Sequence, residues 1–292
     1  MKFGFYSGCR EMLLSRNYTK LVDFIQENGY SSYEPVENVF SGVPTVRSLE
    51  EAREIRALMD SEGIACSCYS AYMDVYPCVE EAVERLMHFA DISAALGSPF
   101  LHHTVYTPLQ LSDGMPDYDS VLFTVKEGLT DVIKYAKALG VTVIYEPQGM
   151  FFNGVNGFGR LFHSLREQED CEHIGVCFDF GNSVFVDCKP YDVLKELLPY
   201  VKHAHLKDYR YVKAELVKGR YSTLGGATVE DVEFGTGDME AEKCIRLLEN
   251  SGYQGSYNTE SVPVASGLSA EKGGIIAMNN ASKMNIHRYG KV

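Results

Sequence analysis

The sequence predicts an α/β fold, a closed (β/α)8 TIM barrel. Three observations lead there. Short apolar runs alternate with longer helical patterns eight times, as parallel strands joined by crossover helices do. The length, 292 residues, lies somewhat above that of a typical barrel of this kind. Polar and titratable residues gather where the apolar runs end, the place where a barrel keeps its chemistry. An open doubly wound sheet usually has fewer strands and a glycine-rich turn after the first, whereas here the first run leads into Ser7-Gly8-Cys9-Arg10.

Taken in order, the first strand is expected over Lys2–Tyr6. A helix over about Tyr18–Glu27 follows, apolar at Leu21, Phe24 and Ile25 and stopped by Gly29. Tyr30–Glu34 reads as strand two. Ser48 with Glu51 three residues on is a capping-box signature, so helix two starts there and runs to Gly63. Strand three is Ile64–Tyr69, and helix three about Val79–Leu96, ended by Gly97. Strand four is Phe100–His103 and helix four about Ser120–Leu139. The β-branched run Val141–Tyr145 is strand five, with helix five at about Gly159–Gln168. Ile174–Phe178 and Val201–Leu206 are strands six and seven, flanking a helix over about Tyr191–Leu198. Helix seven covers about Met239–Asn250, strand eight Gly255–Thr259, and a last helix about Ala270–His287. Two long connections, Thr104–Asp119 and Tyr209–Thr236, have the length of lids or substrate loops. No low-complexity linker divides the chain, which predicts one domain over residues 1–292.

Composition narrows the function. Lys and Arg number 27 against 40 Asp and Glu, a formal charge of −13, which argues against nucleic acid and against anionic membrane surfaces as partners. No apolar run approaches the roughly 20 residues of a bilayer-spanning helix. The N-terminus lacks a long apolar region and a small-residue cleavage site, so no signal peptide is expected. None of the eight cysteines forms a C-x-x-C pair; reduced, mostly buried thiols in a cytoplasmic protein account for them. A homo-oligomer is compatible with the same composition.

The strand ends carry the candidate site. Strand two ends at Glu34, strand four at His102-His103, strand five at Glu146-Pro147, strand six at Asp179, strand seven at His205-Leu206-Lys207-Asp208 and strand eight at Glu260-Ser261. Glu146, Asp179, His205 and Glu260 on four consecutive strands make a metal cage, since crowded carboxylates repel unless a cation holds them. Such a donor set suits one divalent ion, Mn²⁺ first, with Mg²⁺, Co²⁺ or Zn²⁺ also accommodated. His102 and His103 are adjacent, so strand alternation turns one inward, and His102 is the preferred one. Tyr6 and Tyr69 at strand ends, with Phe5, Tyr72, Phe151 and Phe152, are aromatic candidates for stacking on a ligand face.

Ile144-Tyr145-Glu146-Pro147, Cys177-Phe178-Asp179-Phe180-Gly181-Asn182, His203-Ala204-His205-Leu206-Lys207-Asp208, the turn Phe234-Gly235-Thr236-Gly237-Asp238 and Thr259-Glu260 resemble the sugar isomerase/epimerase family of xylose isomerase-like barrels, which also contains endonuclease IV. The resemblance implies one divalent ion on Glu146, Asp179, His205 and Glu260, with Glu146 and Glu260 doubling as acid–base groups on a small carbohydrate. A polarised carbonyl makes the neighbouring C–H acidic, and the enediolate then epimerises, isomerises or eliminates. An isomerase or epimerase is therefore the first expectation. A dehydratase or lyase using the same enolate chemistry is the alternative, and a non-catalytic sugar-binding barrel a third. Phe152, Asn182 and Tyr211 stand where the ketohexose 3-epimerases carry Glu, His and Arg, so free ketohexoses are expected to be poor substrates. Asn182, Lys207 and Arg210 remain as substrate-binding candidates, and the additional histidine ligands of endonuclease IV are missing.

Overall fold

A computed structural model describes residues 1–110, 116–261, 263 and 266–286. Part of the Thr104–Asp119 connection and the expected helix end at His287 lie outside the described residues.

The strands of the barrel are β1 (Lys2–Phe5), β2 (Ser32–Tyr33), β3 (Val36–Asn38), β4 (Ala65–Cys66), β5 (Tyr69–Tyr72), β6 (Phe100–His103), β7 (Thr142–Tyr145), β8 (Gly175–Asp179), β9 (Val201–His205) and, after an insert, β13 (Ser256–Asn258). All pair in parallel, in the order β3-β5-β6-β7-β8-β9-β13-β1-β2-β4. β2 and β3 are two halves of one staved strand, as are β4 and β5, so the first half closes on β1 and the second on β6. Pro35 explains the first break, because it has no N–H to donate to the ladder. Expected strands two and three therefore run further than the apolar pattern suggested, to Asn38 and Tyr72. Helices α2 (Tyr18–Glu27), α3 (Leu49–Ser61), α4 (Val79–Leu96), α5 (Tyr118–Ala138), α6 (Gly159–Arg166), α7 (Pro190–Leu197), α8 (Ala241–Asn250) and α9 (Ala270–Ile286) follow the expected order. A six-residue helix, α1 (Cys9–Leu14), was too short to leave a periodic signal. Ser48 caps α3, its Oγ accepting the Glu51 N–H at 3.1 Å, while the Glu51 carboxylate turns back to the Arg47 N–H at 2.6 Å. Six of the eight free cysteines are buried.

Strand alternation sorts the interior from the helix-facing core. Cys68, Ile144 and Cys177, with Phe100, fill the barrel below the site. On the other face, leucines and valines such as Leu101, Val143 and Val176 join the large core beneath the helices.

The segment expected as a long loop after strand seven holds a three-stranded antiparallel sheet, β10 (Tyr209–Val212), β11 (Arg220–Ser222) and β12 (Thr228–Asp231), in the order β10-β12-β11. It packs Tyr209, Val229 and Tyr221 on Met150, Val184, Phe185 and Met239. Asp208 ties its ends together. One carboxylate oxygen accepts N–H bonds from Gly235 at 2.8 Å and Gly237 at 3.0 Å, the other from Tyr209 at 2.9 Å and Met239 at 3.3 Å. Gly235 has φ of +85°, and a Cβ on Gly237 would lie 2.3 Å from the Asp208 carboxylate, so this turn needs both glycines. Asp208→Ala strands these donors in a mostly buried turn. We expect a loss of about 2–4 kcal/mol, roughly 3–7 °C in Tm, read by thermal denaturation.

Candidate metal and substrate site

β7, β8, β9 and β13 deliver Glu146, Asp179, His205 and Glu260 to one point at the C-terminal rim. One donor atom from each lies within 4.8 Å of the others. His205 Nδ1 is 3.1 Å from both a Glu146 and a Glu260 oxygen. Asp179 is fixed by the turn that follows it: one oxygen accepts the Gly181 and Asn182 N–H groups at 2.8 and 2.6 Å. Its other oxygen is buried and has no hydrogen bond. Lys207, two residues beyond His205 and so on the same face, places Nζ 2.6 Å from Glu260 and 3.5 Å from that free Asp179 oxygen.

Three carboxylates, one imidazole and an orphaned carboxylate oxygen are a fitting donor set for a divalent ion. The electrostatics agree. Burial pushes the Glu146 carboxyl up to about 7, against the pull of His205, and Glu260 and Asp179 add to the rise. Burial also raises Asp179. Glu260 resists its burial because Lys207 and His205 hold it down, at about 2. The Lys207 ammonium thus occupies the position of a counter-cation, and the same contacts raise its own affinity for the proton in spite of burial.

Beneath this cluster lies Glu34, fully buried. It receives His203 Nε2 at 2.8 Å, His205 Nε2 at 3.1 Å, the Asn258 amide and the Ser70 hydroxyl. Burial works to raise it, but His205 and His203 hold it well below the usual carboxylate range. The sequence marks Glu34 only as a strand end. Asn258 had a signal, being two residues before Glu260 and therefore on the same face, and Ser70 had the corresponding place on strand three.

Above the cluster is a cavity of about 330 Å³, lined by Tyr6, Ser70, His102, Glu146, Asn182, Lys207 and Glu260, with Tyr72, Phe185, Tyr209 and Tyr221 as an aromatic wall. Its volume is at the lower end for small-molecule sites. His102 faces it, with Nε2 3.7 Å from Glu146. Asn182 Nδ2 and His102 Nε2 are buried there without a hydrogen-bond partner.

Three substrate-binding candidates are displaced from it. His103 points behind the barrel, its Nδ1 2.8 Å from the Thr104 carbonyl and its ring edge-on to Tyr145. Tyr69 also faces outward, with its hydroxyl on Glu37 and its ring against Phe89 of α4. Arg210 is exposed and donates to the Thr236 carbonyl at 2.6 Å. Alternation explains all three, since each precedes or follows an inward residue by one. Of the aromatic candidates, Tyr6 and Tyr72 line the cavity, whereas Phe5 is core and Phe151 and Phe152 pack with Tyr118. Tyr211, further along β10, is about half exposed. Phe152 and Tyr211 therefore do not border the cavity; of the three departures from the ketohexose epimerases, Asn182 alone does.

A (β/α)8 barrel with an acidic, histidine-bearing cluster at its C-terminal rim defines the class. Residues 22–273 match the xylose isomerase-like TIM barrel family, and the chain belongs to it. An inosose dehydratase of Bacillus thuringiensis (strain Al Hakam) is 27% identical over 229 residues, 73% of this chain and 72% of that protein. Among solved structures, the IolI protein with a bound zinc atom superposes with a TM-score of 0.71 at 15% identity, over 100% of both chains. D-Psicose 3-epimerase of Clostridium cellulolyticum, with D-tagatose, gives 0.68 at 14% identity over 99% of each. Among the described residues no helix is long and apolar enough to cross a membrane.

Burial holds His103 down to about 4. An unfolded histidine takes up its proton near 6.5, so between pH 6.5 and about 4 the unfolded chain binds more protons and stability falls as pH falls. His103→Gln removes this contribution. Wild type should lose about 1–2 kcal/mol more than the variant between pH 7 and pH 5, measured from urea midpoints.

Proposed function

We propose that this chain is a divalent-metal-dependent enzyme acting on a keto-sugar or keto-polyol. It removes the proton α to the carbonyl and expels a β-hydroxyl as water. The observation that carries this reading is the convergence of Glu146, Asp179, His205 and Glu260 within 4.8 Å beneath a polar cavity. In this reading those four hold the ion, Mn²⁺ first. When bound, the ion polarises the substrate carbonyl and stabilises the charge that moves onto its oxygen.

The residues divide the remaining work. Glu146, at the cavity wall, accepts the α-proton. Asn182 and His102 orient hydroxyls through their unpartnered atoms. Lys207 borders the cavity with an ammonium able to donate to the departing oxygen. The C–H and β C–O bonds break, a carbon–carbon double bond conjugated to the carbonyl forms, and hydroxide leaves with a proton as water. Lys207, 2.6 Å from Glu260, engages that carboxylate and, among the described residues, leaves Glu146 without a lysine partner of its own, which supports one carboxylate base with a lysine donor over two exchangeable bases. The inosose dehydratase relative supports the same outcome. Epimerisation or isomerisation is the second reading, favoured by Glu146 and Glu260 both bordering the cavity. Six buried free thiols support a reducing, cytoplasmic setting.

Elemental analysis should find one divalent ion per chain, lost in Asp179→Ala along with activity. Inosose offered to the Mn²⁺-loaded protein in deuterated water separates the two outcomes. Elimination produces an absorbing conjugated carbonyl, whereas epimerisation puts deuterium at the α-carbon with no new absorbance. Inertness of inosose and of a panel of keto-sugars towards both would falsify the reading.

Glu146→Gln retains an oxygen ligand but no base. Turnover should fall at least about 100-fold, with metal occupancy reduced far less. Turnover close to wild type would show that Glu146 is a ligand alone.

A further inference from the structure

We propose that Glu34 is a positioning residue that fixes a hydrogen on Nε2 of His205 and, through Ser70, on Nδ1 of His102, so that His205 keeps Nδ1 for an ion and His102 aims a bare Nε2 into the site. The proposal rests on the metal reading above for His205 and stands apart from it for His102.

The inference follows from counting hydrogens. Glu34 Oε2 receives His203 Nε2 at 2.8 Å and the Asn258 amide nitrogen, which can only donate. His205 Nε2 lies 3.1 Å from Oε1 and 3.2 Å from Oε2. A carboxylate so surrounded accepts from each neighbour. Hence the Nε2 of His205 carries a hydrogen, and its Nδ1, 3.1 Å from Glu146 and Glu260, is the nitrogen that gives up its proton to those carboxylates' side when an ion takes its place. Metal-ligating histidines keep their orientation through such an outer carboxylate.

The second step passes through Ser70. Its hydroxyl hydrogen goes to Glu34 Oε1, since a hydroxyl has one hydrogen to give. Ser70 Oγ is also 2.9 Å from His102 Nδ1, so in that bond Oγ accepts and Nδ1 carries the hydrogen. Neutral His102 is then bare at Nε2, the buried and unpartnered atom 3.7 Å from Glu146. His102 is buried, and among the described residues no acceptor lies within hydrogen-bond distance of Nε2 to take a second hydrogen. The consequence is chemical: His102 receives the hydrogen of a substrate hydroxyl and does not donate to a carbonyl or carboxylate. The site therefore selects ligands with a hydroxyl donor at that place, as a polyhydroxylated ketone offers.

Two measurements test this. Protein labelled with ¹⁵N-histidine, free of metal, is examined by long-range proton–nitrogen NMR at neutral pH, with His102→Asn for assignment. Wild type should show His102 protonated at Nδ1 and bare at Nε2, and Ser70→Ala should abolish that preference. A hydrogen on Nε2 in wild type overturns the proposal for His102. Affinity for Mn²⁺ alone is measured by chelator competition. Glu34→Gln puts an N–H where a carboxylate oxygen was, and should weaken Mn²⁺ about 10–100-fold. Ser70→Ala, which leaves the Glu34–His205 contact, should bind Mn²⁺ as wild type does. Equal affinity in Glu34→Gln overturns the positioning role for His205. Should Glu34→Gln fail to fold, the Ser70→Ala spectrum decides the relay. Wild type with no Mn²⁺ affinity would sink the metal reading itself, while the NMR result for His102 would still stand or fall separately.

Discussion

Three carboxylates, Glu34, Glu146 and Asp179, are buried at one end of this barrel with Glu260 partly buried beside them, and charge of the other sign comes to them from Lys207 and His205. Burying a carboxylate is expensive unless it is paired, so this arrangement constrains everything around it. It explains why the strands carry hydrogen-bonding side chains where barrels usually carry branched aliphatics. Asn258, Ser70 and His203 are there because Glu34 is there. It explains the turn after β8, whose N–H groups satisfy one oxygen of Asp179 and leave the other open. It also makes the upper cluster a place where the proposed divalent cation would relieve repulsion.

The same arrangement gives the two flanking carboxylates different characters. Glu146 is pushed towards the protonated form, while Glu260 is held ionised by Lys207. A barrel of this family that used two equal bases would gain from symmetry between them. Here the asymmetry comes from one lysine whose backbone position, two residues after His205, is fixed by strand parity.

Much of this was legible in the sequence because a strand has a period of two and a barrel keeps its chemistry at one rim. The run His203-Ala204-His205-Leu206-Lys207 declares its inward face without a structure, and Glu146, Asp179 and Glu260 follow from their strand ends. Legibility failed where parity could not be anchored. Strands two and three are each broken, at Pro35 and around Ser67-Cys68, so Tyr69 was taken for an inward residue when Ser70 is. Arg210 and Tyr211 looked close to the ligand histidine by counting, but the chain turns there into a separate antiparallel sheet. Glu34 escaped because its partners come from the third, seventh and eighth strands, and no local pattern links positions 34, 70, 203 and 258.

The antiparallel insert of β10, β11 and β12 supplies Tyr209 and Tyr221 to the cavity wall but no atom to the acidic cluster. Part of the cavity wall is thus carried on a piece of chain separate from the strands that hold the carboxylates. The strands that hold the carboxylates tolerate little change, since each shift of register would turn a charge into the hydrocarbon layer. The insert hangs between β9 and α8, pinned at its base by Asp208, and its own small core is independent of the barrel interior. The vestibule wall can therefore change residue by residue without any shift of register in the barrel strands underneath.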